Sequence, residues 1–443
     1  MRQDVLQADV NGILYRPVYF YRQTAMHVSI PVTEELLDTL GGRYVLYSVY
    51  LEGFLLFKVR YKDLHFWDEQ MQRIFGSSLP IFPPKYLLAM TKSMAEKRRT
   101  KLEIYLQEIV SDLVVSSSDI FIEFFKKHQM ETFKIPTIRM ILKVYLPGGQ
   151  QVQVDSLSSD TAERVLESAL YKVGLSRELT EYFSLFITHR DDSGVFTVVK
   201  RIAHFEIPFL TVWKIKDDHF QIDIRKWYMD PSTDAMLIGC KAAIDVLYCQ
   251  AVEELEMNWS EPTEEQRQKL QHCIKTEDKI KFLELMHQVE HYGYLKLSPC
   301  TKKQGKTSST VTVYVGGNEL HCSSETESLH LPIYAITRWH VNMQNENLCK
   351  LPSEFKLEYK QGQDVAWITL WTEQAFLLSS CLKKIISEQP EIATKENLEI
   401  IDPKKSRSLF RRTQKQADIP KEKVSFSSFV GQSDVFESED FSL

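Results

Sequence analysis

No run of about 18 or more apolar residues occurs among the 443 residues of this chain, so the sequence offers no membrane-spanning helix. Residues 1–25 lack the uninterrupted apolar core and small-residue cleavage site of a secretory signal, and export by that route is not expected. Positive charge is not in excess either. With 54 Lys and Arg against 60 Asp and Glu, the formal net charge is -6, which excludes bulk attraction to nucleic acid or to an anionic bilayer; any anion binding has to be local. The seven cysteines, Cys240, Cys249, Cys273, Cys300, Cys322, Cys349 and Cys381, form no C-x-x-C pair of the kind zinc and redox sites use. They read as reduced, mostly buried thiols of a cytosolic protein.

Catalytic signatures are missing as well. Gly305-Lys306-Thr307 ends like a phosphate loop, but Cys300 stands where the upstream glycine is required. His287 and His291 are four apart, yet Gln288-Val289-Glu290 between them is not the H-E-x-x-H pattern of zinc hydrolases. Asn258-Trp259-Ser260 is a glycosylation sequon without a secretory route. No G-x-S-x-G elbow and no kinase motif set is found. The expectation is a protein that is not an enzyme and holds no metal or cofactor.

What is present is an apolar share of 43%, enough for several cores, in a chain long enough for several domains of about 100 to 150 residues. From Tyr44 to Tyr61 the chain is rich in Tyr, Val, Leu and Phe around a turn at Glu52-Gly53, which predicts a hairpin. Leu64, Trp67, Met71 and Ile74 then take helical spacing up to Gly76, and helices follow near Ala95 to Val110 and Ser118 to His128. A second unit opens with Arg139 to Tyr145, a Pro147-Gly148-Gly149 turn, a strand at Val152 to Asp155, a helix at Thr161 to Val173 and a strand at Tyr182 to Ile187, the ubiquitin-like order. Residues 228–298 carry a helical period. From Val311 short strands return, and they close on a helix from Gln374 to Glu388, as in a pleckstrin-like barrel. Beyond Pro390 a basic run and a Ser-rich acidic end read as a disordered tail.

Four pieces stand out in the first unit: Lys58-Val59-Arg60-Tyr61, Phe82-Pro83-Pro84-Lys85, the apolar run Tyr86-Leu87-Leu88-Ala89-Met90, and Arg98 with Leu102 and Tyr105. Taken alone, the first piece also fits a strand end with solvated charges. Arg98, Leu102 and Tyr105 at i, i+4 and i+7 share one helical face, so the Leu and Tyr pin the helix that carries the Arg. In this order the pieces resemble a phox-homology (PX) domain. That resemblance implies that Arg60 grips the 3-phosphate of phosphatidylinositol 3-phosphate, that Tyr61 packs on the inositol ring, and that Lys85 meets the 1-phosphate. It further implies that Arg98 bonds inositol hydroxyls and that Tyr86, Leu87, Leu88 and Met90 form a membrane-inserting loop.

The ubiquitin-like, all-α and pleckstrin-like units behind it follow the order of a FERM module, and the whole resembles the endosomal sorting nexins that join the two. Glu181-Tyr182-Phe183-Ser184-Leu185-Phe186, His291-Tyr292-Gly293-Tyr294-Leu295 and Cys381-Leu382-Lys383-Lys384 carry this likeness. The fold class expected is α+β multidomain, divided into an accessory leader (1–25), a PX domain (26–134), FERM lobes F1 (135–227), F2 (228–298) and F3 (299–390), and a tail (391–443). The resemblance implies an endosomal cargo adaptor, peripheral on early endosome membranes, that promotes receptor recycling over lysosomal degradation. Its F3 lobe would bind Asn-Pro-x-Tyr or Asn-x-x-Tyr motifs of receptor tails, such as those of integrin β subunits, by strand addition at Trp339 and Ile386. A Trp in a strand and an Ile on a helix also fit plain core positions. In the tail, Asp440 and Leu443 match the place where relatives dock the Retriever complex, although Phe441-Ser442 replaces the usual residues before the last Leu. A FERM-type membrane-cytoskeleton scaffold and a PX-targeted lipid enzyme or GTPase regulator are the alternatives.

Overall fold

The computed structural model describes residues 26–85, 91–215, 217–304, 307–342, 352–362 and 364–389. Its first sheet is organised by the Glu52-Gly53 turn, where both residues take positive φ (51° and 81°), the geometry of a two-residue hairpin whose twist suits the flanking strands. Strands β1 (Val28–Leu37), β2 (Arg43–Leu51) and β3 (Phe54–Arg60) form an antiparallel sheet in that order. β1 runs through Pro31, which falls in the register shift between Ser29 and Val32, a position where a missing N–H costs no ladder bond. Helices α1 (Tyr61–Phe75), α2 (Lys92–Ser111), α3 (Leu113–Ser116) and α4 (Asp119–Phe133) cover the sheet. Side chains of α2 satisfy the β1 edge: Gln107 Oε1 accepts from Val28 N (2.8 Å) and Glu103 Oε2 from Ile30 N (2.7 Å), while Arg99 donates to Ile30 O (2.9 Å). Gly76 ends α1 at φ 57°, as the spacing predicts.

The second unit contains β4 (Arg139–Tyr145), β5 (Gln151–Leu157), α5 (Ala162–Lys172), β6 (Phe183–Arg190), β7 (Phe196–Arg201), α6 (Pro208–Ile215) and β8 (Phe220–Lys226), with sheet order β5-β4-β8-β6-β7. β6 is buried on both faces: Leu185 and Ile187 join the core under α5, and Phe186 joins the core of the last unit. An apolar run without alternation is what a doubly covered strand requires. The helical unit is α7 (Lys241–Glu256), α8 (Glu264–Lys275) and α9 (Lys279–Met286), which share the second unit's core.

Leu295–Lys296 (β9), inside the range read as helical, pairs with the final sheet because a two-residue strand has no period to detect. That sheet adds β10 (Cys300–Gln304), β11 (Thr307–Gly316), β12 (Glu319–Ser323), β13 (Ser328–Pro332), β14 (Ile336–Asn342), β15 (Ser353–Gln361) and β16 (Asp364–Thr372) in the order β13-β12-β11-β10-β16-β15-β14. α10 (Ala375–Glu388) packs on it. Cys273, Cys300, Cys322 and Cys381 are buried free thiols, Cys240 and Cys249 are half-buried ones, and Cys349 lies outside the described residues.

The first unit is bolted to the second and the last. Buried Gln129 on α4 donates to Phe205 O (2.9 Å) and accepts from Ile207 N (3.0 Å), and the Phe205 ring completes the first unit's core. His204 meets Ser116 O at 2.9 Å. Glu52, at the hairpin turn, accepts from His27 N (2.8 Å) and from the Ser380 hydroxyl on α10 (3.1 Å). His27 stacks on Phe376, and a Cβ on Gly53 would stand 2.7 Å from that same ring. Burial raises the Glu52 carboxyl above its usual value, against the opposing pull of Lys383.

Gly53→Val places a branched side chain at positive φ against Phe376, and should loosen this joint at a cost of about 2 kcal/mol or more. Small-angle scattering of the full chain should show a larger radius of gyration, and an unchanged radius would contradict the reading of Gly53 as a joint residue. Burial also lowers both His27 and His204 to about 4, so the folded state holds them neutral. Because the unfolded chain takes up these protons near 6.5, stability should be full above that pH and fall as pH drops from 6.5 toward 4. Thermal melts should show a shallower acid slope for His27→Phe than for the unsubstituted chain.

Candidate functional site

Arg60 is the last residue of β3 and the N-cap of α1, a place where an extended backbone (φ -89°, ψ 151°) aims the side chain off the sheet end. Its guanidinium carbon lies 3.7 Å from the centroid of the Tyr44 ring. Its Nε is buried and has no hydrogen-bond acceptor among the described residues. Stacking through the face orients a guanidinium and leaves its N–H edge for an anion. Arg98, buried on α2, sits 4.1 Å over the Tyr61 ring, with Leu102 and Tyr105 buried on the same helical face.

Tyr61 in turn donates to Pro83 O at 2.7 Å, which fixes the Pro-rich stretch against α1. Phe82 is wedged between Tyr61 (5.6 Å between centroids) and Tyr105 (4.9 Å, edge-on). The Tyr105 hydroxyl donates to Asp68 Oδ1 at 2.7 Å, and burial together with that carboxylate pushes its phenol well above the usual range. Lys85 is exposed at the end of this stretch. Thr91 caps α2 through Met94 N, so Arg98 rides on a helix with a fixed start.

The structure therefore brings Arg60, Tyr61 and Arg98 around one corner, with Pro83 binding the Lys85 segment to it. It places Tyr61 beneath Arg98, and it supplies Arg60 with a different ring, Tyr44, which the linear sequence does not reveal. The signal for Tyr44 is cross-strand register: Leu36 pairs with Tyr44, and Leu46 with both Glu34 and Arg60, so these positions share a face. Lys58 is occupied by an ion pair with Glu34 on that face. Tyr86, Leu87, Leu88 and Met90 lie outside the described residues.

The second candidate site is the edge of the last sheet. β14 pairs with β15 and with no other strand among the described residues, so its outer edge carries open backbone groups. Trp339 on β14 is half-buried, and its Nε1 donates to Ser379 Oγ on α10 at 2.9 Å. Ile386 is half-buried seven residues further along α10, on the same helical face as Ser379 and about 10 Å up the axis. Trp339 and Ile386 thus lie on two packed elements, with Ile386 two turns along α10 from the Ser379 that Trp339 bonds. Glu388 anchors the far end of α10 by accepting from Met229 N (2.9 Å) and Asp230 N (3.2 Å). Asp440 and Leu443 lie outside the described residues.

The histidine pair set aside in the sequence is structural in both members. His287 meets the buried carboxylate of Asp234 at 3.1 Å, and His291 bonds His321 at 2.8 Å in a stack continued by His330. Among the described residues no group of three or more His, Cys, Asp or Glu could hold a metal ion, and no helix is long and apolar enough to cross a membrane. Trp259 of the sequon is buried in the last unit's core.

Family models match three stretches: the PX domain at residues 55–128, the sorting nexin 17/27/31 FERM domain F1 lobe at 140–229, and the sorting nexin 17 FERM C-terminal domain at 293–390. Sorting nexin-31 of Xenopus laevis is 58% identical over 386 residues, covering 85% of this chain and 90% of the relative. Sorting nexin-31 of Homo sapiens is 41% identical over 429 residues (92% and 95%), and sorting nexin-17 of Homo sapiens is 33% identical over 386 residues (82% and 81%). With a PX domain followed by FERM-like lobes and relatives of this closeness over most of its length, the chain belongs to the sorting nexin family.

Proposed function

We propose that this chain is an endosomal cargo adaptor whose PX domain binds phosphatidylinositol 3-phosphate and whose F3 lobe binds Asn-Pro-x-Tyr or Asn-x-x-Tyr motifs of receptor tails, integrin β subunits among them. The observation that carries the lipid half is Arg60, whose buried Nε has no acceptor among the described residues while its face is stacked on Tyr44. A guanidinium so placed is preorganised for a phosphate, and Arg98 and Lys85 add charge at the same corner. The cargo half is supported by the open β14 edge beside α10, where a peptide can add as a strand and pack side chains between Trp339 and Ile386. Each contact is weak by itself. Together they multiply, since linked binding raises overall affinity by about 10² to 10⁴ when geometry permits both. The adaptor so formed would steer internalised receptors to recycling rather than lysosomal degradation, and its C-terminal Asp440 and Leu443 would offer a docking point for the Retriever complex.

Tail-peptide pull-downs with and without vesicles carrying the 3-phosphoinositide test both halves. Arg60→Gln removes a charge-assisted fork worth about 1.5 to 3 kcal/mol, so vesicle binding should fall more than tenfold while the thermal midpoint stays near that of the unsubstituted chain. Vesicle binding left unchanged would sink the lipid assignment. Trp339→Ala should weaken peptide binding by about tenfold or more, as expected for a buried aromatic anchor, and leave vesicle binding intact. Peptide affinity at the unsubstituted level would refute the groove.

A further inference from the structure

A cleft of about 360 Å³ opens where the first, second and last units meet. Ser117 borders it from the first unit, Arg201, His204 and Trp227 from the second, and Lys384 and Ser387 from α10. One water takes up about 30 Å³ of liquid, so the space exceeds what one or two bridging waters occupy and falls within the range of small-molecule sites. None of these residues belongs to the lipid corner or to the β14 edge.

Arg201, the last residue of β7, is the group in this cleft that the fold leaves without a hydrogen-bond acceptor. Its Nε is buried and unbonded, and no carboxylate among the described residues forms an ion pair with it. The two carboxylates that act on it through space are committed elsewhere. Glu206 accepts from Lys200 Nζ (2.6 Å) and Ala203 N (2.8 Å), and Glu52 accepts from His27 N and the Ser380 hydroxyl. Burial outweighs their pull and lowers Arg201 to about 10, so its charge is held here against the loss of water. The guanidinium carbon stands 5.0 Å from the centroid of the Trp227 ring. Arg60 on Tyr44 shows the same arrangement: a ring holds the face of the guanidinium, and its N–H edge stays open to an oxyanion.

The remaining charges state what else a ligand has to carry. Lys384 brings a second cation within electrostatic reach of Arg201 and pairs with Glu388 at 3.3 Å. Glu388 is further occupied by Met229 N and Asp230 N, and Asp230 by Ser232 N. Glu163 on α5 and Glu181, just before β6, add carboxylates to the lining, and burial raises Glu181. A bare phosphate ion would occupy a small part of the space and face those carboxylates directly. An ester of phosphate with a hydroxylated body suits both kinds of group: its oxyanion forks onto Arg201 while its hydroxyls donate to the carboxylates. We propose that this cleft binds a phosphate monoester with a polyhydroxylated body, the chemistry shared by sugar phosphates and inositol phosphates, with Arg201 and Lys384 on the phosphate and Glu181 on a hydroxyl. A ligand so placed touches all three units and ties together the joint that Glu52 and Gln129 make.

The test uses the full chain carrying Arg60→Gln, so that the lipid corner is silent. This parent is titrated by calorimetry with glucose 6-phosphate, inositol 1-phosphate and unphosphorylated glucose, and floated with phosphatidylcholine vesicles containing phosphatidylinositol 4-phosphate. A phosphate ester should bind saturably and raise the thermal midpoint, and glucose should do neither. Adding Arg201→Gln should weaken ester binding more than tenfold, and Lys384→Gln severalfold. Because Arg201 has no acceptor to lose, Arg201→Gln should keep the ligand-free midpoint of the parent. Trp227 emission, taken as the difference between the parent and its Trp227→Phe form, should change on titration and reads the site without altering Arg201. Soluble binding without flotation identifies a free metabolite as the ligand; flotation abolished by Arg201→Gln identifies a lipid headgroup. Equal ester binding by the parent and Arg201→Gln, or no response of the parent to any ester or vesicle, overturns the site. A lowered midpoint for Arg201→Gln together with an unresponsive parent makes Arg201 a structural countercharge to Glu52 and Glu206, and overturns it as well.

Discussion

Two neighbouring serines on α10 hold the molecule's two working ends. Ser379 accepts the indole N–H of Trp339 on the strand that borders the proposed cargo groove, and Ser380 donates to Glu52 on the turn of the PX sheet. Consecutive residues on a helix point about 100° apart, so one helix can face both neighbours without bending. Around the second contact stand His27 on Phe376 and Gly53 against the same ring, and Gln129 repeats the bolt on the F1 side. A buried carboxylate is costly unless its lone pairs are used. Glu52 uses them on the His27 N–H of its own unit and on the Ser380 hydroxyl of α10, so separating the domains would break the second of these bonds.

The same economy applies to the lipid corner. Aromatic rings help to place its cations: Tyr44 lies under Arg60 and Tyr61 under Arg98. A carboxylate would hold a guanidinium more tightly but would also satisfy it and repel the incoming phosphate. A ring positions without neutralising. Tyr61 gains a second task by bonding Pro83, which ties the segment carrying Lys85 to the helix that starts at Arg60.

Much of this was legible in the chain. Helices with a full 3.6-residue period appear where their spacing puts them, to within a few residues: α1 ends at Gly76, α5 occupies the amphipathic stretch after Thr161, and α10 starts one residue beyond Gln374. The Arg98, Leu102 and Tyr105 face is buried as a face. What escaped has a physical reason in each case. Strands β12 and β13 alternate His321 and His330 with apolar neighbours over five residues, too short for a period to emerge. Tyr44 cannot be assigned to Arg60 without knowing the register. Gln129 and Glu52 look like surface residues in the sequence, because nothing local tells a polar side chain that its partner arrives from another domain.

The joint at Glu52 has a geometric consequence for whatever the adaptor carries. If the PX corner rests on a bilayer, a stiff frame holds the β14 groove at a set height and attitude above it, in place of a sphere of positions swept on a tether. A receptor tail would then need a minimum length of extended chain, at about 3.3 to 3.6 Å per residue, between its membrane exit and its tyrosine motif before the two could meet. Selection among tails would be made partly by a ruler, with tails of equal motif sequence sorted by the number of residues that precede it.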